Sequence, residues 1–131
     1  MKLTTFSIIW ALIHIVFALG LLIAPVMFMS QFGVTLDNNG LVPGRTMGAA
    51  FLGLALIYYW NRNTPASDAT QHNILLGSFI FHLVDLPFVI MATLNGTMNS
   101  MGWMPVAIHT FLAITFGYFA FNKSIQTVRA N

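Results

Sequence analysis

Apolar residues dominate four stretches of the chain, roughly 5–29, 45–61, 73–93 and 102–122, and polar or helix-breaking residues crowd the three segments between them. A helix needs about 20 residues to cross the hydrocarbon core of a bilayer, and each stretch is close to that length. The connecting segments, SQFGVTLDNNGLVPG, NRNTPASDATQ and LNGTMNSM, are rich in the Gly, Pro, Asn and Ser that end helices. The pattern predicts an all-α, integral membrane four-helix bundle, a single four-span domain over residues 1–131. The first stretch runs on for nine residues past Ala18-Leu19-Gly20, its nearest approach to a cleavage site, and so is read as an uncleaved span rather than a signal peptide.

Inside the stretches the polar residues fall on stripes. On the third, Leu75, Ser78, His82, Asp85, Val89 and Ala92 share one helical face. Ala11, His14, Ala18 and Pro25 do so on the first, and Gly102, His109, Ala113 and Gly117 nearly do on the fourth. Faces that mix polar and small residues pack against other helices, so these side chains are expected to point into the bundle. Ala49-x-x-x-Gly53 and Ala113-x-x-x-Gly117 are patterns that let helices approach closely, within a protomer or between protomers. Pro25 and Pro87 are expected to bend their spans and to free backbone carbonyls, Pro87 that of Leu83.

Composition agrees with lipid as the solvent. The chain is 57% hydrophobic and 6% charged, with a mean hydropathy of +0.79, whereas soluble domains keep about a quarter of their residues charged. Five Lys/Arg against three Asp is too small a surplus to suggest nucleic acid. With no cysteine, the chain has no disulfide, thiolate metal site, iron–sulfur cluster or thiol chemistry. Lys2, Arg62, Lys123 and Arg129 fall on one side of a four-span arrangement and Arg45 on the other, so both termini are expected in the cytoplasm. Tyr58, Tyr59 and Trp60 would then mark the cytoplasmic interface and Trp103 the outer one.

A faint repeat runs through the chain. At an offset of 60, AFLGLALIYY (50–59) lies over TFLAITFGYF (110–119); at an offset of 68, LIHIVF (12–17) lies over IFHLVD (80–85). A duplicated helical hairpin with parallel repeats would make His14 and His82 symmetry mates.

Depth counting then gathers the buried polar groups. At about 1.5 Å per residue, His14 and His82 lie roughly 15 Å in, Asp85 and His109 about a turn further out, and Arg45 about a turn beyond those. An aspartate at the centre of a span costs about 2.5–3.5 kcal/mol on insertion scales, so Asp85 needs a partner or a task. Four readings stay open. Arg45 and Asp85 form an ion pair that locks the second span to the third. Or His14, His82, Asp85 and His109, closed by Arg45, form a network that binds a ligand or relays protons. Or two of His14, His82 and His109 hold one haem b. Or His82, Asp85 and a further histidine bind a divalent metal. His72 is expected to be solvated at the start of the third span, and the eight methionines are expected as apolar filling rather than copper ligands. No exposed nucleophile–base pair or paired carboxylates suggest an enzyme.

At PVMFMSQFG (25–33) and GRTMGAAFLGLALIYYWNRN (44–63) the chain resembles small bacterial four-span membrane proteins of the DoxX-like sort, where a Pro and an FG-type turn end the first span and an Arg with small residues opens the second. The resemblance implies a four-helix inner-membrane bundle and assigns no activity. Microsomal eicosanoid and glutathione enzymes have four spans at this size, but this chain lacks a polar glutathione-binding stretch. The resulting expectation is a non-enzymatic protein of the bacterial inner membrane. It would be a ligand-binding, accessory or proton-linked transport module that works as a homo-oligomer or on a larger membrane partner; a haem b redox protein is the alternative.

Overall fold

A computed structural model describes residues 1–122; Lys123 and Arg129, which entered the orientation argument, lie outside them. All regular structure among the described residues is helical. The chain forms two compact units, Met1–Asn63 and a second that begins at Thr64. The first holds α1 (Leu3–Ile23), the short α2 (Pro25–Ser30) and α3 (Asn38–Trp60); the second holds α4 (Ala69–Leu94), a 3-10 turn (Ser100–Gly102) and α5 (Trp103–Phe121). Four helical segments, Leu3–Ile23, Asn38–Trp60, Ala69–Leu94 and Ser100–Phe121, are long and apolar enough to cross a membrane.

In the first unit α1 packs antiparallel on α3. The buried stripe Ser7, Ala11, His14, Ala18 and Leu21 of α1 continues to Pro25, and α3 answers with Gly44, Gly48, Ala55 and Tyr58. The expected unbroken span 5–29 divides at Ala24. Pro25 drives the residue before it out of the helical region, and Ala24 sits at φ −135°, ψ 57°. Pro25 then opens α2 at its first position, where its missing N–H costs nothing. Phe28 turns back over Gly20, its ring filling the place a Cβ would take, and meets Phe17 edge-on at 5.3 Å. Gly33, at φ +79°, closes α2: its N–H donates to the Ser30 carbonyl at 3.0 Å and that of Val34 to the Met29 carbonyl at 3.2 Å. This is the Schellman arrangement, and it gives the FG turn its physical reason.

The second span begins seven residues before the expected position 45. Asp37 caps α3, its Oδ1 accepting the Gly40 N–H at 2.8 Å, and the helix runs on through Pro43. Gly40 and Pro43 had marked this segment as a loop. A side-chain cap satisfies the first-turn donors and lets both residues be absorbed near the helix start. Asp68 caps α4 in the same way, accepting from the N–H groups of Thr70 at 2.8 Å and Gln71 at 3.3 Å. Two of the three aspartates are thereby explained as caps, and Asp85 is left alone inside a helix.

In the second unit α4 and α5 pack antiparallel. Gln71, Leu75, Ser78 and His82 are the buried residues of α4, facing Leu112, Ala113, Phe116, Gly117, Phe119 and Ala120 of α5. A Cβ on Gly117 would stand 3.1 Å from the Phe79 ring, so the Ala113/Gly117 pattern does mark a close approach. Its counterpart on α3, Ala49/Gly53, marks none within the protomer. A Cβ on Gly53 would meet nothing within 4 Å, and the tight seam of the first unit is at Gly48, where a Cβ would stand 2.9 Å from that of Leu21. Hydroxyls within the helices bond to their own backbone, Ser78 to the Ile74 carbonyl at 2.7 Å and Thr93 to that of Val89 at 2.8 Å. That is how such groups are satisfied in an apolar medium.

Candidate functional site

Of the five polar residues that depth counting grouped, the structure brings three together inside one hairpin. His82 projects from the middle of α4, thirteen residues after Ala69 and twelve before Leu94, and is 2% exposed. Its Nδ1 lies 3.1 Å from Nδ1 of His109 on α5, a hydrogen bond in which one of the two rings donates. The other nitrogen of His109, Nε2, stands 3.4 Å from Oδ2 of Asp85, one turn along α4 from His82. His109 therefore bridges a carboxylate and a second imidazole with its two ring nitrogens. Exposure falls along the row, from 37% for the Asp85 side chain to 13% for that of His109 and then to the buried His82.

Aromatic rings fix the row in place. Phe116 lies nearly parallel to the His82 ring, 5.6 Å away with 11° between planes, and Phe81 contacts both imidazoles, at 5.0 Å from His82 and 6.1 Å from His109. Sequence reasoning missed both phenylalanines. Phe116 was within reach, since it lies two turns after His109 on the same face of α5. On its other side Asp85 opens into a groove of about 270 Å³ on α4, lined by Ile80, Phe81, Val84, Asp85 and Phe88.

His14 and Arg45 stand in the first unit, on α1 and α3. His14 is 6% exposed; its Nδ1–H donates to the Trp10 carbonyl at 2.8 Å, and its ring meets Phe51 and Tyr58 edge-on at 5.5 and 5.3 Å. Tyr58, expected at the interface beside Tyr59 and Trp60, is instead 3% exposed against this histidine, while Tyr59 and Trp60 are open. Arg62 turns back toward them, its guanidinium 4.0 Å over the Tyr59 ring and bonded to the Tyr59 carbonyl at 2.6 Å.

The two units repeat one motif. His14 meets two rings seven residues apart, Phe51 and Tyr58; His82 meets two rings seven residues apart, His109 and Phe116. This places His14 on His82 at an offset of 68, as the sequence suggested, but it places α3 on α5 at 58 rather than 60. Two residues rotate a helix by more than half a turn. Phe111 and Tyr118, matched to Phe51 and Tyr58 at an offset of 60, accordingly face outward at 50% and 55% exposure. In the structural register Phe51 occupies the place of His109, so the second hairpin puts a titratable ring where the first has a phenyl.

Chemically, the row is suited to moving protons. Among the described residues no three His, Cys, Asp or Glu side chains converge as metal ligands, because His109 lies between the other two groups instead of beside them. Bis-histidine haem ligation places iron and macrocycle between two imidazoles, and the 3.1 Å contact of His82 with His109 leaves no space there. No protein family, curated protein or solved structure matches the chain.

Proposed function

We propose that the chain is a four-span protein of the bacterial inner membrane with cytoplasmic termini, and that its second hairpin carries a proton relay serving ligand binding or transport. The observation that carries the reading is the row Asp85, His109, His82 at 3.4 and 3.1 Å in the middle of two apolar helices. A carboxylate and two imidazoles at that depth are costly unless they are used or paired. Their order allows a stepwise shift. A proton reaching His82 pushes its Nδ1 hydrogen onto Nδ1 of His109, and His109 passes its Nε2 hydrogen to Asp85. Every group ends with a proton count it can hold, and the charge leaves the interior as a neutral carboxylic acid. Histidine titrates near neutrality, which suits this exchange. The positive residues Lys2 and Arg62 support the orientation, and a protomer of four spans supports assembly with copies of itself or with a larger membrane partner.

The chain has four histidines, so nitrogen NMR of the histidine-labelled protein in nanodiscs tests the relay directly. The resonances of His82 and His109 should move together as pH is changed, and Asp85→Asn should shift both while leaving those of His14 in place. Independent titration of the two rings, or indifference of both to Asp85→Asn, would overturn the relay.

A further inference from the structure

We infer that the groove beside Asp85 is a binding site for a small organic cation with an apolar body, a protonated or quaternary amine. The inference rests on the relay reading and names the substrate class of the same site. The groove lies on α4 and is lined by Ile80, Phe81, Val84, Asp85 and Phe88. Four of these five side chains are apolar, and the fifth is the one carboxylate that caps no helix.

Charge complementarity selects the occupant. A lipid tail or other neutral guest would desolvate Asp85 and leave its charge to the imidazole of His109 alone, which is costly in an apolar site. A bare metal ion needs several oxygen ligands, and the groove offers a single carboxylate. A quaternary or protonated amine needs one counter-charge and apolar or aromatic contact for the rest of its surface. Phe81 and Phe88, seven residues apart and so two turns along one face, flank the carboxylate and can present ring faces to the cation. The volume of about 270 Å³ falls just under the usual range for small-molecule pockets, which limits the guest to a compact ion.

The relay gives this site an exchange partner. Where the relay has delivered a proton to Asp85, an entering cation sends it back: it transfers to the facing nitrogen of His109, Nε2, and the hydrogen on Nδ1 of His109 passes to Nδ1 of His82, away from the bound charge. One proton departs for each cation bound, and no other bond is made or broken. The titratable groups facing Asp85 are His109 from α5 and His82 one turn back on α4; the 3-10 turn, Ser100–Gly102, brings none.

The test is equilibrium dialysis of benzyltrimethylammonium against the full chain in nanodiscs, with neopentylbenzene, its uncharged isostere, as competitor. The wild type should bind the cation saturably and release protons, and the isostere should not displace it. Asp85→Asn should weaken binding on the order of thirtyfold, the low end of what removing one partner of a desolvated charge pair costs. Phe88→Leu should weaken it by about two- to fivefold, the loss of an open cation–π contact. Val84→Trp fills the groove, keeps the carboxylate, and should abolish binding even if Asp85→Asn fails to fold. Binding that survives Val84→Trp, or competition by neopentylbenzene equal to that by the cation, would overturn the inference. The two proposals separate in the wild type itself: saturable cation binding in a protein whose two histidines titrate independently would sink the relay alone, and an Asp85-dependent joint titration of the two histidines in a protein that never binds the cation would sink the cation site alone.

Discussion

Gly48 and Gly53 lie five residues apart on α3, and alanine at each should change stability in opposite directions. At Gly48 a new Cβ would stand 2.9 Å from the Leu21 Cβ, 3.0 Å from the Leu22 Cγ and 3.2 Å from the Ala18 carbonyl oxygen. The nearest of these is fixed to the α1 backbone, so no side-chain rotation relieves it. Carbon atoms pack best from about 3.5 Å outward, so α1 and α3 must separate by roughly 0.6 Å at this level. A gap of that size forfeits about a quarter of each contact it touches, and a buried leucine makes on the order of 50 contacts of about 0.1 kcal/mol, so Leu21 alone loses about 1 kcal/mol. Neighbours along the seam bring the cost to about 1–3 kcal/mol, the usual range for an overpacked interior. Gly53 has open space within 4 Å, and there alanine should stabilise the helix by roughly 0.5–1 kcal/mol through lost backbone freedom in the unfolded chain. The assay is reversible unfolding in mixed detergent micelles, followed by far-UV circular dichroism and by the fluorescence of the three tryptophans. Equal destabilisation by Gly48→Ala and Gly53→Ala, or none by either, would refute the placement of the α1/α3 seam. A loss at Gly53→Ala that appears only at high protein concentration would instead locate that face between protomers.

Three further outcomes follow from the site. If Asp85 answers to His109 rather than to Arg45, the unfolding costs of Asp85→Asn and Arg45→Gln should add to within about 0.5 kcal/mol, and recovery of stability in the double variant would identify a structural ion pair. His14→Phe should cost about 1 kcal/mol for the lost bond to the Trp10 carbonyl and leave the His82 and His109 NMR signals unmoved; a shift in either would mean that the first hairpin takes part in the relay. A Soret band lost in both His82→Ala and His109→Ala should not be seen in membranes or purified protein, and its appearance would establish a haem between the two rings that their contact argues against.

The stripe on α4 was legible because apolar periodicity alone sets which residues share a face, and Leu75, Ser78 and His82 are buried along it as the spacing requires. The level of His109 against Asp85 was legible too, since a short connection between two antiparallel helices leaves little freedom in register. Other features were hidden by competing signals. Gly40 and Pro43 outweighed Asp37, although a single capping carboxylate was enough to start α3 early. Tyr58 was assigned to an interface by its neighbours Tyr59 and Trp60, when consecutive helical residues point in different directions and one of them had to face α1. Shared residue types align α3 with α5 at an offset of 60, whereas the positions that meet a histidine align at 58. Gly44 and Gly48 have the same four-residue spacing as Ala49 and Gly53, and composition cannot say which side of a helix holds a neighbour.

The use of Asp37 and Asp68 as caps has a spectroscopic consequence. The chain has three aspartates and no glutamate, and two of the three carboxylates are taken up by backbone N–H bonds at helix starts. Asp85 is then the one carboxyl side chain set against an imidazole in the middle of a helix. An infrared carbonyl stretch of the acid form, seen in the unlabelled wild-type protein and bleached by a bound cation, would report the occupancy of a single atom pair without any isotope or probe.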